Sequence, residues 1–194
     1  MVKAENVITG IYGWKGAGKT LVMTLLVLME FEYNMRPKIF SNYELDFPFE
    51  YLRGDDMASL ASHLSNSIVA IDELHEYADC RNSHSLQNRR VSTFFLQSRH
   101  TNSNIYYTTQ YKDQVDKRIR RITDVDVIAE NLHIDSDGDG DDDMFRFVLN
   151  DHRTNTIVSK NIYATPIFSM YDSTERINPF VWKSKKGVKD ELIA

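Results

Sequence analysis

Short apolar runs rich in Val, Ile, Tyr and Phe alternate along this chain with longer stretches of helical character. That is the pattern of parallel strands joined by crossover helices. It predicts strands near residues 7–12, 38–41, 68–71, 105–109 and 125–130, and helices near 19–33, 56–64, 90–100 and 112–121. Pro37 marks the break after the first helix. Residues 41–54, with Pro48 and scattered aromatics, read as a packed connection, and the polar residues 81–88 as a mobile loop. Beyond residue 130 the texture changes. Residues 145–149 and 156–164 are β-like around a polar turn at 150–155, which predicts an antiparallel addition to the sheet edge. From Pro166 onward an irregular arm with weak helical potential is expected.

Composition bounds this picture without changing it. The chain has 194 residues, 42% of them apolar and 26% charged, which suits one domain with a real core. The longest apolar stretch, residues 21–29 with Phe31, is interrupted at Thr24 and too short to span a membrane. The N-terminus lacks the plan of a signal peptide. Cys80 stands alone, so no internal disulfide forms and a reducing setting fits.

Charge needs a closer look. The net value of −5 argues against a polyanionic partner, yet Asp135, Asp137, Asp139, Asp141, Asp142 and Asp143 fall in one run. Setting those six aside from the 28 acids leaves 22 against 23 lysines and arginines. Within that balanced body Lys112, Lys117, Arg118, Arg120 and Arg121 form one basic cluster, and Lys183, Lys185, Lys186 and Lys189 a second. Either could follow a phosphate backbone; solvated helix faces and tails look the same.

The sharpest chemical signal is Gly13-Trp14-Lys15-Gly16-Ala17-Gly18-Lys19-Thr20, a complete G-x-x-x-x-G-K-[ST] phosphate loop between an apolar strand and an apolar helix. The glycines permit backbone angles and approaches that let successive N–H groups converge on phosphate oxygens. The helix N-terminus adds favourable partial charge. Lys19 can reach the β- and γ-phosphates of ATP, and the Thr20 hydroxyl can hold Mg²⁺.

Residues 67–73, Ser-Ile-Val-Ala-Ile-Asp-Glu, end a buried-strand pattern in two acids. Asp72 at such a tip can complete the Mg²⁺ shell, and Glu73 can take a proton from an attacking water. Capping of the next helix would explain the pair as well. The strand at 105–109 ends in Gln110, placed to sense the γ-phosphate or the water. Arg99, in Gln97-Ser98-Arg99-His100, is a candidate finger for a neighbouring subunit's γ-phosphate, with Arg118, Arg120 and Arg121 as rivals.

Taken together, Gly-Trp-Lys-Gly-Ala-Gly-Lys-Thr, Ile-Val-Ala-Ile-Asp-Glu, Gln-Ser-Arg-His and Tyr-Thr-Thr-Gln, followed by Asp-Gln-Val-Asp-Lys-Arg-Ile-Arg-Arg, resemble the HerA–FtsK superfamily of P-loop ATPases over about residues 6–130. Within it the chain looks most like the viral genome-packaging and zonula-occludens-toxin-like branch. The resemblance implies an α/β P-loop NTPase: a three-layer sandwich with a mostly parallel central sheet of the additional-strand type, here with a C-terminal antiparallel hairpin extension. Residues 1–165 would be the ATPase domain and 166–194 a C-terminal arm. It implies ATP and Mg²⁺ as cofactors and supports Lys19, Glu73, Gln110 and Arg99 as catalytic residues, with Thr20 and Asp72 on the metal. It further implies a homo-oligomeric ring, pentamer or hexamer, moving double-stranded DNA in the host cytoplasm and at a capsid vertex, with capsid or portal-vertex proteins as partners. Toxin-like members often carry a transmembrane segment after this domain; none is seen here, which favours packaging.

Other signals are weaker. Residues 135–143 imitate a calcium loop, but the position for a bidentate Glu is Arg146, so a solvated acidic turn is expected. His75, Glu76, Asp79 and Cys80 lack the spacing of a zinc site. Trp14 could stack on a base, meet a neighbouring subunit, or simply pack. Two rival activities fit the same motifs. One is an assembly or extrusion ATPase acting on protein or single-stranded DNA. The other is a small-molecule kinase, which the Asp72-Glu73 pair suits less well than attack by water.

Overall fold

The computed structural model describes residues 6–33, 36–53, 56–57, 64–132 and 144–171. The expected helix at 56–64 lies largely outside these residues. So do the acidic run at 135–143 and the lysines past residue 171.

Strands β1 (Ile8–Tyr12), β2 (Lys38–Ser41), β3 (Glu50–Tyr51), β4 (Ser67–Ile71), β5 (Asn104–Thr109), β6 (Val125–Asn131), β7 (Met144–Asp151) and β8 (Thr156–Tyr163) build one sheet. Its order is β3-β2-β4-β5-β1-β6-β7-β8. Pairing is parallel from β3 through β6 and antiparallel from β6 through β8. The expected architecture is therefore present, including the extra strand: β5 lies between β1 and β4.

Every residue of β1 and β4 is buried, because helices cover both faces of the parallel part. Side chains alternate between two cores, as the strand period of two requires. On one face Ile11, Ile68, Ala70 and Val127 pack on Leu21, Val22, Met23 and Val27 of α1 (Lys19–Glu32). On the other, Val69, Ile71, Ile105 and Tyr107 meet Val91, Phe94 and Phe95 of α2 (Leu86–Thr101) and Ile119 of α3 (Lys117–Arg120). The helix stripe follows the i, i+3, i+4 spacing that puts residues on one side.

At the N-terminal end of the strands a buried pair fastens α1 to β5. Arg36 Nη1 stands 2.6 Å from Glu30 Oε1. Glu30 also accepts from Asn104 Nδ2 at 2.9 Å and from the Tyr106 hydroxyl at 2.7 Å. These partners satisfy a carboxylate that burial alone would make costly.

Three local expectations are corrected. Helix α2 begins at Leu86, not near 90, because Ser85 caps it by accepting the Asn88 amide at 3.1 Å. The same region is no free loop: Cys80–Asn82 forms a 3₁₀ turn capped by Asp79. The helix expected at 112–121 is split into a 3₁₀ turn, Lys112–Gln114, and α3, because Val115 is extended and pairs with Asp79. Past the hairpin, Ala164 and Ile167 are buried in the α1-side core, α4 (Thr165–Phe168) forms one turn, and Tyr171 bridges to Leu45.

Candidate active site

The C-terminal ends of β1, β2, β4 and β5 lie along one edge, as the pairs Tyr12↔Thr109, Ile71↔Tyr107 and Ser41↔Ala70 require. The loop after β1, Asn42, Asp72 and Gln110 therefore meet at that edge, where ligands bind in open α/β sheets.

The loop closes with Ala17 N donating to Trp14 O at 3.1 Å. Gly18 takes φ 84°, a left-handed conformation that favours glycine. A Cβ there would strike the Phe145 ring of β7. No side chain caps the start of α1. Its first N–H groups are left for an anion, as the phosphate-loop reading requires. Lys19 is buried, and its ammonium donates to Trp14 O at 3.2 Å, so it is held across the loop it opens from.

Thr20 Oγ1 donates to Asp72 Oδ2 at 3.1 Å, joining motifs 52 residues apart. Asp72 is fixed from two further sides. Asn42 clamps its backbone, accepting the Asp72 amide at 2.7 Å and donating to the Asp72 carbonyl at 2.9 Å. Thr108 Oγ1 donates to Asp72 Oδ1 and accepts the Glu73 amide at 2.9 Å. Burial pushes the Asp72 carboxyl above its ordinary value of 3.8. The Thr108 bond opposes this, the Glu73 charge reinforces it, and Thr20 and Lys19 oppose it. A buried carboxylate beside a hydroxyl is a hard-oxygen pair suited to Mg²⁺.

Glu73 sits at φ 50°, ψ 54°, left-handed and rare for a non-glycine. Its Oε2 is buried without a hydrogen-bond partner, although His75 Nδ1 is 3.2 Å away at ion-pair distance. His75 also approaches Glu76 Oε1 at 3.5 Å and Thr109 Oγ1 at 3.4 Å. A carboxylate oxygen with spare accepting capacity is what a base needs to take a proton.

Gln110 follows β5 at the same edge and is half-buried. Trp14 is 73% exposed and touches Tyr111 edge-on, with centroids 5.2 Å apart, so core packing does not account for it. Lys15 is exposed. Arg99 is also exposed and is not brought to this edge. It lies in the last turn of α2, whose Thr101 carbonyl accepts the amide of Asn66 just before β4, at the opposite end of the strands. Arg118 is tied to Asp116 at 2.8 Å and to Ser83 O at 3.0 Å. Sequence reasoning missed Asn42 and Thr108, and weighed His75 only as a zinc ligand. Of the two missed residues only Thr108 left a signal, as one of two consecutive threonines that end the strand just before Gln110.

Among the described residues no helix is long and apolar enough to cross a membrane. No group of three or more His, Cys, Asp or Glu side chains gathers there into a metal site. The family described as Zonular occludens toxin (Zot) matches residues 48–176, about two-thirds of the chain. No curated protein is significantly similar in sequence. Among solved structures, the N-terminal domain of zonular occludens toxin from Neisseria meningitidis is similar with TM-score 0.61 and 18% identity, covering 87% of this chain and 100% of that one. The DNA-packaging ATPase B204 of Sulfolobus turreted icosahedral virus is similar with TM-score 0.59 and 13% identity, covering 84% and 100%. The genome packaging NTPase B204 of Sulfolobus turreted icosahedral virus 2, in complex with sulfate, is similar with TM-score 0.58 and 11% identity, covering 80% and 96%. At these identities the structures establish the P-loop NTPase fold.

Proposed function

The chain belongs to the zonular occludens toxin (Zot) family, and from that premise and the site geometry we propose that it is a Mg²⁺-dependent ATPase that moves double-stranded DNA into a viral capsid. The observation that carries the reading is the Thr20–Asp72 contact at 3.1 Å beside Glu73, whose buried Oε2 accepts no hydrogen bond. The free N–H groups of the loop and Lys19 hold the phosphates. Thr20 and Asp72 would hold the metal, which when bound neutralises charge on the phosphoryl group. Glu73 takes the proton of a water as its oxygen bonds to the γ-phosphorus and the bond to ADP breaks. Gln110 orients that water or the γ-phosphate. A neighbour's arginine, Arg99 in this reading, completes the site, so turnover depends on assembly into a ring. Residues 1–165 form the motor domain of this reading, and capsid or portal-vertex proteins are its further partners.

A second reading has its own support, because the matched family is described by a toxin and not by a packaging protein. In it the ATPase drives assembly or extrusion, with protein or single-stranded DNA as substrate. The deciding experiment measures ATP hydrolysis across protein concentration, with duplex, with single strands and with neither, at two salt levels. Packaging requires stimulation by duplex that grows with its length and falls steeply with salt. Stimulation by single strands alone selects the rival, and absence of hydrolysis in any oligomeric form defeats both.

A further inference from the structure

A cavity of about 580 Å³ opens on the α2–α3 side of the molecule, and no phosphate-loop residue lines it. Cys80, Ser83, His84, Arg89, Asp116, Lys117, Arg118 and Arg120 line it. Four fixed cations thus face one carboxylate, in a chain whose net charge is −5. Asp116 is already committed to Arg118. Arg89, Lys117 and Arg120 form no ion pair at contact distance among the described residues, Arg120 feels Asp116 only from farther away, and Arg120 Nε is buried without a hydrogen bond. Unpaired cations crowded around one hollow repel each other and favour an anion.

The shape of the lining narrows the anion. The hollow is far wider than one phosphate needs, and its cations come from two separate helices, α2 and α3. No Phe, Tyr or Trp lines it, so it offers no platform for stacking successive bases, on which single-strand binding depends. We infer that this cavity grips the phosphodiester backbone of duplex DNA without reading its sequence. The inference deepens the proposed function and rests on it for the identity of the polyanion.

The cavity is also fastened to the catalytic edge. The Asp116 amide donates to Ala78 O at 3.1 Å, and Asn88 Nδ2 donates to Asp79 O at 2.5 Å. Both acceptors belong to the segment that carries Glu73 and His75. Backbone phosphates held here load the stretch that presents the catalytic base.

The test uses the full chain and a labelled 30-base-pair duplex, followed by fluorescence anisotropy over a salt series, with affinity for a fluorescent ATP analogue as the folding control. Arg89→Glu with Lys117→Glu, two exposed positions away from the phosphate loop, should weaken duplex binding at least about tenfold and flatten the log–log salt slope by about two. The neutral pair Arg89→Gln with Lys117→Gln should flatten the slope equally with a smaller loss, which guards against a charge reversal that disturbs folding. Wild-type protein should bind duplex more tightly than a single strand of equal length. An unchanged slope in both variants, or a preference for the single strand, overturns the inference. So does unaltered duplex binding with impaired turnover, since the cations would then serve a neighbour's nucleotide. Protein that hydrolyses ATP but ignores duplex removes this site and leaves the ATPase standing. Protein that binds duplex but no nucleotide does the reverse.

Discussion

Thr108 donates its hydroxyl hydrogen to Asp72 Oδ1 and, through the same oxygen, accepts the amide of Glu73 at 2.9 Å. One side chain of β5 therefore sets both acids of the neighbouring strand tip. Thr108→Val keeps the shape and removes both bonds, leaving a buried carboxylate short of a donor and an amide short of an acceptor. Each unmet group costs about 1–3 kcal/mol. Calorimetry should show a melting temperature lower by several degrees, with ATP turnover reduced and Thr108→Ser close to wild type. A valine variant with normal turnover would show that the hydroxyl only fills space.

Glu73→Gln should retain ATP binding and lose turnover by about 10²–10⁴-fold, the usual contribution of a general base. His75 gives this expectation finer detail. Its Nδ1 lies 3.2 Å from Glu73 Oε2 and its Nε2 3.5 Å from Glu76 Oε1, which places it to steady the Glu73 carboxylate. His75→Ala should lower kcat about tenfold with KM for ATP unchanged, and His75→Gln should recover part of that loss. A rise in KM alone would place His75 in nucleotide binding instead.

These two residues mark where sequence reading stops. The strand-end positions of the phosphate loop, Asp72 and Gln110 were legible because each motif is local, and β1 and β4 because burial on both faces leaves unbroken apolar runs. The Thr108–Asp72 and Asn42–Asp72 contacts depend on which strands become neighbours, which is fixed by tertiary packing. Helix α2 was cut short at its start because Gln87, Asn88, Arg89 and Arg90 carry no apolar stripe. Residues 112–121 read as one helix because their charge pattern suits one, while the extended Val115 is decided by pairing with Asp79.

Asp72 is a liability to the fold when no cation balances it. Burial raises its pKa above 3.8, so the folded state prefers the protonated acid. The stability this confers is complete below the unfolded pKa, near 3.9, and lost as pH rises through the higher folded value. At neutral pH the ionised group opposes folding. Asp72→Asn should therefore raise the melting temperature of nucleotide-free protein at pH 7, with the gain shrinking toward pH 4. Magnesium and ATP should stabilise wild type and not the variant. A variant less stable at pH 7 would mean that the bonds from Thr20 and Thr108 outweigh desolvation.

Arg99 lies at the opposite end of the strands from its own phosphate loop, so any part it takes in hydrolysis is played in a neighbour's site. Mixing Arg99→Ala subunits with wild type should then depress activity beyond their share. A linear mixing curve removes Arg99 and returns Arg118, Arg120 and Arg121 to consideration, of which Arg118 is already engaged by Asp116.

The antiparallel hairpin takes part in the site through Phe145, whose buried ring fills the space a Cβ on Gly18 would need. Phe145→Ala should cost about 3–5 kcal/mol, as truncation of a buried aromatic does, and should also weaken ATP binding, because the loop loses its backing. Gly18→Ala faces two obstacles, the ring and the left-handed φ of 84°. Combining both substitutions relieves the first obstacle only. The double variant should thus bind ATP no better than Phe145→Ala, while its loss in stability falls short of the summed single losses. If Phe145→Ala changes melting temperature but leaves ATP affinity intact, the hairpin merely extends the sheet and the loop holds its shape unaided.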